Sequence, residues 1–283
     1  MKKLFINLIL CSSTLFTVPM AVANTKFSVA EMTKVQLDTL SFKELMRQFY
    51  SGQMTRGYID DEEISKMPYV ALGQAGEDEN TTVALMHPVL EYKNNANQTR
   101  YLVMIEKIKV SDDGIVVTCH ACTGEADLFS FKKLNSGQYQ LVSRSKEDAE
   151  FSGSWGRVGI DLNEISENIK PLGKNLVGSI FKNGYTSTGT TETWWEALHL
   201  PENDFINSYS IADAGADNSG SYDEDSPLHY AYEGLIEVVN NGDAYFPIKV
   251  TYSGEKPTED YEHIRKVKYS KQIEFNPIKK EYK

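Results

Sequence analysis

Residues 176–200 read LVGSIFKNGYTSTGTTETWWEALHL. Apolar, β-branched and aromatic residues fill both ends of this stretch, and Asn183-Gly184 lies between them. Asn-Gly between β-rich runs is a strong short-range hairpin signal, because both residues tolerate the positive φ of a tight turn. The stretch therefore predicts a strand over 176–181, a turn at Lys182-Asn183-Gly184 and a long returning strand over 185–200.

The same grammar extends in both directions. Downstream, a polar loop over 213–227 precedes a strand-like run at 228–239. The turn Asn240-Asn241-Gly242-Asp243, a run at 245–252 and a last strand at 267–275 follow. Upstream, the run 82–92 is interrupted by Pro88, which lacks the N–H a sheet ladder needs. Turns at 94–97, Asp112-Asp113-Gly114 and Asn135-Ser136-Gly137 separate runs at 101–110, 115–118, 128–134 and 139–143. Strand, turn, strand at this spacing is an antiparallel meander. Over 27–52 the period changes. Ser41-Phe42-Lys43-Glu44 has capping-box spacing, Leu45 and Phe49 fall near one face, and Gly52 supplies a stop. Val29, Met32, Val35 and Leu37 suggest a second short helix before it. The fold expected is mainly β, with antiparallel meanders forming a β-sandwich or two small β-sheets and a short helical N-terminal segment. The regions are 1–23 signal peptide, 24–66 helical segment, 67–150 first meander and 151–283 second meander.

Lys2 and Lys3, apolar runs at 4–10 and 15–20, and Ala21-Val22-Ala23 form a secretory signal pattern. Ser12, Ser13 and Thr14 interrupt the run short of a membrane span. Leu10 is too large to precede a lipidated Cys11. A periplasmic or secreted protein cleaved near Ala23 is expected, with no membrane insertion. The chain carries 29 Lys and Arg against 40 Asp and Glu, a formal charge of −11. Loss of Lys2 and Lys3 takes this to −13 over 260 residues. Such a charge repels nucleic acid and anionic lipid and favours a basic protein partner.

Cys119-His120-Ala121-Cys122 allows three readings. A redox pair needs a helix N-terminus to lower the thiol pKa, and a strand-like run follows instead. Zinc needs about four ligands, and His120 leaves the set short. A disulfide is expected for an exported chain, stabilising by roughly 2 kcal/mol through loop closure. The densest carboxylate cluster is 213–225. Against an EF-hand loop, Asp213, Asp217, Ser221 and Glu224 fall on ligand positions one, five, nine and twelve. Gly215 and Asn218 break the rest of that pattern, and flanking helices are missing. A solvated acidic loop is expected; calcium held by those four residues is the alternative, and no other cofactor is suggested.

Trp194 and Trp195 should point to opposite faces of a strand. With Asp223, Glu224 and Asp225 they are the partner-binding residues that composition suggests. Trp155, in Gly153-Ser154-Trp155-Gly156, is expected to cap a core at a sharp turn. No Gly-x-Ser-x-Gly elbow, His-Glu-x-x-His pair or phosphate-binding glycine loop occurs, and the five histidines are scattered.

Through Cys119-His120-Ala121-Cys122, Trp155-Gly156 and Asp217-Asn218-Ser219-Gly220, over residues 68–255, the chain resembles uncharacterised exported β-rich proteins of Gram-negative bacteria. The resemblance implies no activity. The function expected is a periplasmic binding protein, in one version an immunity-type protein that masks a basic toxin. An envelope hydrolase or carbohydrate-active enzyme is the alternative.

Overall fold

The computed structural model describes residues 28–73, 80–147, 149–260 and 263–283. The expected signal peptide, with Cys11 and Ala23, lies outside the described residues. Helix α1 (Val29–Met32) opens with the Ser28 backbone N–H donating to Glu31 at 2.8 Å. The chain then leaves helical geometry. Gln36 and Leu37 pair with Gln140 and Tyr139 of the sheet, which buries Leu37. Helix α2 (Phe42–Phe49) starts after Ser41 as the spacing predicts. Glu44, however, reaches past Ser41 to the backbone N–H groups of Asp38 (2.6 Å) and Thr39 (2.8 Å). A carboxylate suits this end, where the helix dipole is positive. Leu45 and Met46 enter the core, and Phe49 stacks on Phe129 with ring centroids 4.2 Å apart.

Strands β1 (Tyr69–Leu72), β2 (Asn80–Met86), β3 (Leu90–Lys93), β4 (Thr99–Ser111), β5 (Glu125–Lys133) and β6 (Tyr139–Ser145) make the first meander. Pro88 separates β2 from β3, yet both pair with β4: Met86 lies opposite Ile105 and Leu90 opposite Leu102. Helix α3 (Leu162–Asn168), which the strand pattern does not foretell, begins at Asp161, whose side chain accepts the Asn163 N–H. The second meander runs β7 (Ile169–Gly173), β8 (Leu176–Ser187), β9 (Thr190–Leu200), β10 (Phe205–Asp217), β11 (Ala231–Val238), β12 (Ile248–Pro257) and β13 (Ile264–Ile273). Each of these strands is antiparallel to the next.

The long hairpin forms, but its turn is elsewhere. Thr188 and Gly189 have φ of 47° and 78°, and Ser187 faces Thr190, a two-residue loop with both central residues left-handed. Asn183 and Gly184 lie in mid-strand, opposite Trp194 and Thr193. Burial decides the register. The observed one sets Val177 against Leu200 and Ile180 against Ala197, all buried. A turn at Asn183-Gly184 would instead fold the apolar residues 176–181 onto the polar stretch 186–191.

Phe205 and Ile206 of β10 also pair, in parallel, with Arg144 and Ser145 of β6. This short contact joins the two meanders into one large sheet. Leu102, Met104 and Leu128 of the first meander pack with Phe181, Leu198 and Ile206 of the second in a shared core. Two small ladders stand apart among the described residues: Gly153–Ser154 with Arg157–Val158, and Phe275–Asn276 with Glu281–Tyr282.

Candidate functional site

Strand β9 carries the adjacent tryptophans, and their contacts lie on opposite sides of it. Trp195 has the Lys182 Nζ 5.1 Å above its ring and donates its indole N–H to Gly234 O at 2.6 Å. Trp194 donates to Glu196 Oε1 at 2.7 Å and lies 6.2 Å from the Tyr185 ring. Both are half-buried, so neither is a simple core or surface residue. Opposite them, β10 carries two bulges, each with one extra residue: Ala214 and Ile211. Bulges redirect the side chains beside them.

On the Trp194 side, a cleft of ≈ 560 Å³ is lined by Trp194, Glu192, Asp213, Tyr230, Tyr232 and Lys256, among others. Asp213 is its electrostatic centre. Its carboxylate accepts from Lys256 Nζ at 2.6 Å, Tyr232 Oη at 2.8 Å and the Gly215 N–H at 2.9 Å. Lys256 Nζ also sits 4.3 Å from the Tyr232 ring centroid, within cation–π range. Burial raises the Tyr232 phenol pKa, and its bond to Asp213 raises it further, so the phenol stays a donor. Glu192 accepts from Tyr185 Oη at 2.5 Å. Glu196, buried beneath, accepts from Trp194, from Ser208 at 2.9 Å and from the Ser152 hydroxyl.

The four residues matched to a calcium loop are distributed along this edge. Asp213 lies within β10, and its oxygens are engaged as above. Asp217 ends β10 and accepts the Ser219 N–H at 2.7 Å, a bond that holds its carboxyl below the usual range. The Ser221 hydroxyl donates to Thr188 O at 2.5 Å, which ties the acidic loop to the β8–β9 turn. Glu224 is exposed beside Asp223 and Asp225. Among the described residues no group of three or more His, Cys, Asp or Glu side chains is placed to hold a metal ion. Asn218, buried, closes the base of the loop by bonding Leu228 O at 2.9 Å and the Tyr230 N–H at 2.8 Å. The loop is thus anchored next to Tyr230, a wall of the cleft, with its three terminal carboxylates in solvent.

Cys119 and Cys122 are bonded, with an S–S distance of 2.08 Å, in the loop between β4 and β5. Their carbonyls accept the N–H groups of Trp155 (3.1 Å) and Gly156 (2.9 Å). Trp155 does sit at a sharp turn, with φ of 55°, but it caps no core: it is 54% exposed. Behind this turn, Arg157 donates to Glu106 through Nε (2.8 Å) and Nη2 (2.7 Å). The same carboxylate meets His87 Nε2 at 2.8 Å and the Val158 N–H at 3.0 Å. The only sequence signal for this cluster is one carboxylate inside the apolar run of β4. Comparison of the chain with protein-family models, curated proteins and solved structures finds no match.

Proposed function

We propose that this chain is an exported, periplasmic binding protein without enzymatic activity, and that it receives a basic protein partner on the face formed by Trp194 and the acidic loop. One version is an immunity-type role, in which that face masks a basic toxin. A half-buried tryptophan in a cleft whose wall, Tyr230, is bonded to the base of a loop with three exposed carboxylates, Asp223, Glu224 and Asp225, carries the reading. Aromatic anchors give an interface its affinity, and rim charges speed encounter with a partner of opposite sign. A second reading, a carbohydrate-active hydrolase, draws on the same cleft, which holds Glu192, Asp213 and Trp194. It is weaker, because both carboxylates are already hydrogen-bonded to protein donors, Asp213 to an ammonium.

Affinity capture from periplasmic extract tests the two. Wild-type bait should retain a basic protein that Asp223→Lys, Glu224→Lys, Asp225→Lys bait loses. Hydrolysis of cell-wall or other polysaccharide by the purified protein, without such a partner, would favour the enzyme.

A further inference from the structure

Near the tip of the β8–β9 hairpin lies a different kind of surface. Thr191 and Thr193 of β9 line it with Gly184, Tyr185 and Thr186 of β8. Together with the Trp155 turn and His120 they bound a groove of ≈ 520 Å³. No Asp, Glu, Lys or Arg lines it, although the chain carries 24% charged residues and a net charge of −11.

Trp155 is the unusual element of this groove. A bulky residue with φ of 55° is a steric outlier. The fold nonetheless holds it there. Its N–H and that of Gly156 are bonded to the carbonyls of the disulfide loop. At Gly156 a Cβ would meet Val117 O at 2.4 Å, so the turn admits no side chain at that position. The ring so presented is more than half exposed and makes one aromatic contact among the described residues, with His120 at 5.1 Å.

The polar groups around the ring are neutral hydrogen-bonding groups. The hydroxyls of Thr186 and Thr191 bond each other at 2.9 Å and keep further capacity, since a hydroxyl both donates and accepts. The Ser154 hydroxyl has no protein partner among the described residues. His120 Nε2 lies 3.0 Å from Thr186 O, a carbonyl that only accepts. Nε2 therefore donates there, which leaves Nδ1 as the ring's other polar atom.

We propose that this groove binds a neutral sugar unit of a glycan. The Trp155 ring is its stacking platform, and Ser154, Thr186, Thr191 and His120 Nδ1 take its hydroxyls. The site goes beyond the partner-binding reading and does not depend on it, because neither Trp194 nor any residue of the acidic loop lines it.

Titration calorimetry with cellohexaose, maltohexaose and chitohexaose tests this, with hexagalacturonate as the anionic comparator. At least one neutral oligomer should bind, and hexagalacturonate should bind more weakly. Trp155→Gly keeps the left-handed backbone while deleting the ring, and should weaken binding roughly tenfold or more. Thr191→Val is exposed and isosteric, and should weaken it by a smaller factor without lowering the melting temperature. No binding of any neutral oligomer up to about 10 mM would overturn the proposal. So would equal affinity in a folded Trp155→Gly protein, or tighter binding of hexagalacturonate.

Discussion

Replacing Glu106 with Gln tests the link that fixes the Trp155 turn to the sheet. Glu106 is buried, its side chain 1% exposed, and burial alone would push its carboxyl pKa up. The hydrogen bonds from Arg157 and His87, the Arg157 charge and the Val158 N–H outweigh burial and hold it at about 2, against 4.5 for an unpaired Glu. A tenfold change in proton affinity corresponds to about 1.4 kcal/mol, so this carboxylate stabilises the native state by about 3 kcal/mol at neutral pH. Gln keeps the shape, but it removes the charge and turns an amide N–H group toward existing donors. Urea unfolding at pH 7 should therefore show a loss of about 3 kcal/mol. Because the folded pKa is the lower one, this stabilisation is complete above pH 4.5 and disappears as pH falls through 2. At pH 3 only about half of the gap should remain. A gap below about 1 kcal/mol at pH 7, or one as large at pH 3 as at pH 7, would refute the reasoning.

Three further outcomes can be measured. The purified protein should react with no thiol reagent at Cys119 or Cys122 until reduced, and Cys119→Ser should cost roughly 2 kcal/mol without abolishing folding; mass spectrometry of alkylated protein checks the first part. Chelator should leave the melting curve unchanged, since Asp213 is engaged by Lys256, Tyr232 and Gly215; a drop that Asp217→Ala abolishes would instead place calcium in the acidic loop. His199 is buried against Tyr282 Oη at 2.7 Å, and burial lowers its pKa to about 3 from 6.5. The unfolded chain takes up that proton first, so stability should fall as pH drops from 6.5 toward 3. His199→Gln should flatten that part of the profile in urea titrations at stepped pH.

The turns at Asn94–Asn97, Gly114, Gly137 and Gly242 were legible because their residues serve local geometry: Asn97 and the three glycines have positive φ. Pro88 announced its break for the same kind of reason, a missing donor. Asn183-Gly184 misled because its turn propensity is also local, while the register was settled by Val177, Ile180 and their distant partners. Asp161, a good N-cap ahead of Leu162, was an available sign of α3 within a region read as meander. The adjacent tryptophans and the Cys119–Cys122 bridge could be read from spacing. The cleft could not. Asp213 and Lys256 are 43 residues apart and Glu106 and Arg157 are 51 apart, and nothing between them marks the pairing. The bulges at Ala214 and Ile211, and the parallel contact at Phe205 and Ile206, exist only relative to a partner strand.

The most direct measurement is of association and dissociation rates for the captured basic partner across a salt series, with wild type, the Asp223→Lys, Glu224→Lys, Asp225→Lys triple variant and Trp194→Ala. Screening shortens the reach of the acidic face, so the wild-type association rate should fall steeply with salt. The triple variant should associate more slowly and with little salt dependence, while its dissociation rate stays near wild type. Trp194→Ala should act mainly on dissociation, raising that rate roughly tenfold or more if the ring is a buried anchor. Association rates that ignore both salt and the triple reversal, with unchanged dissociation from Trp194→Ala, would contradict a binding function on this face.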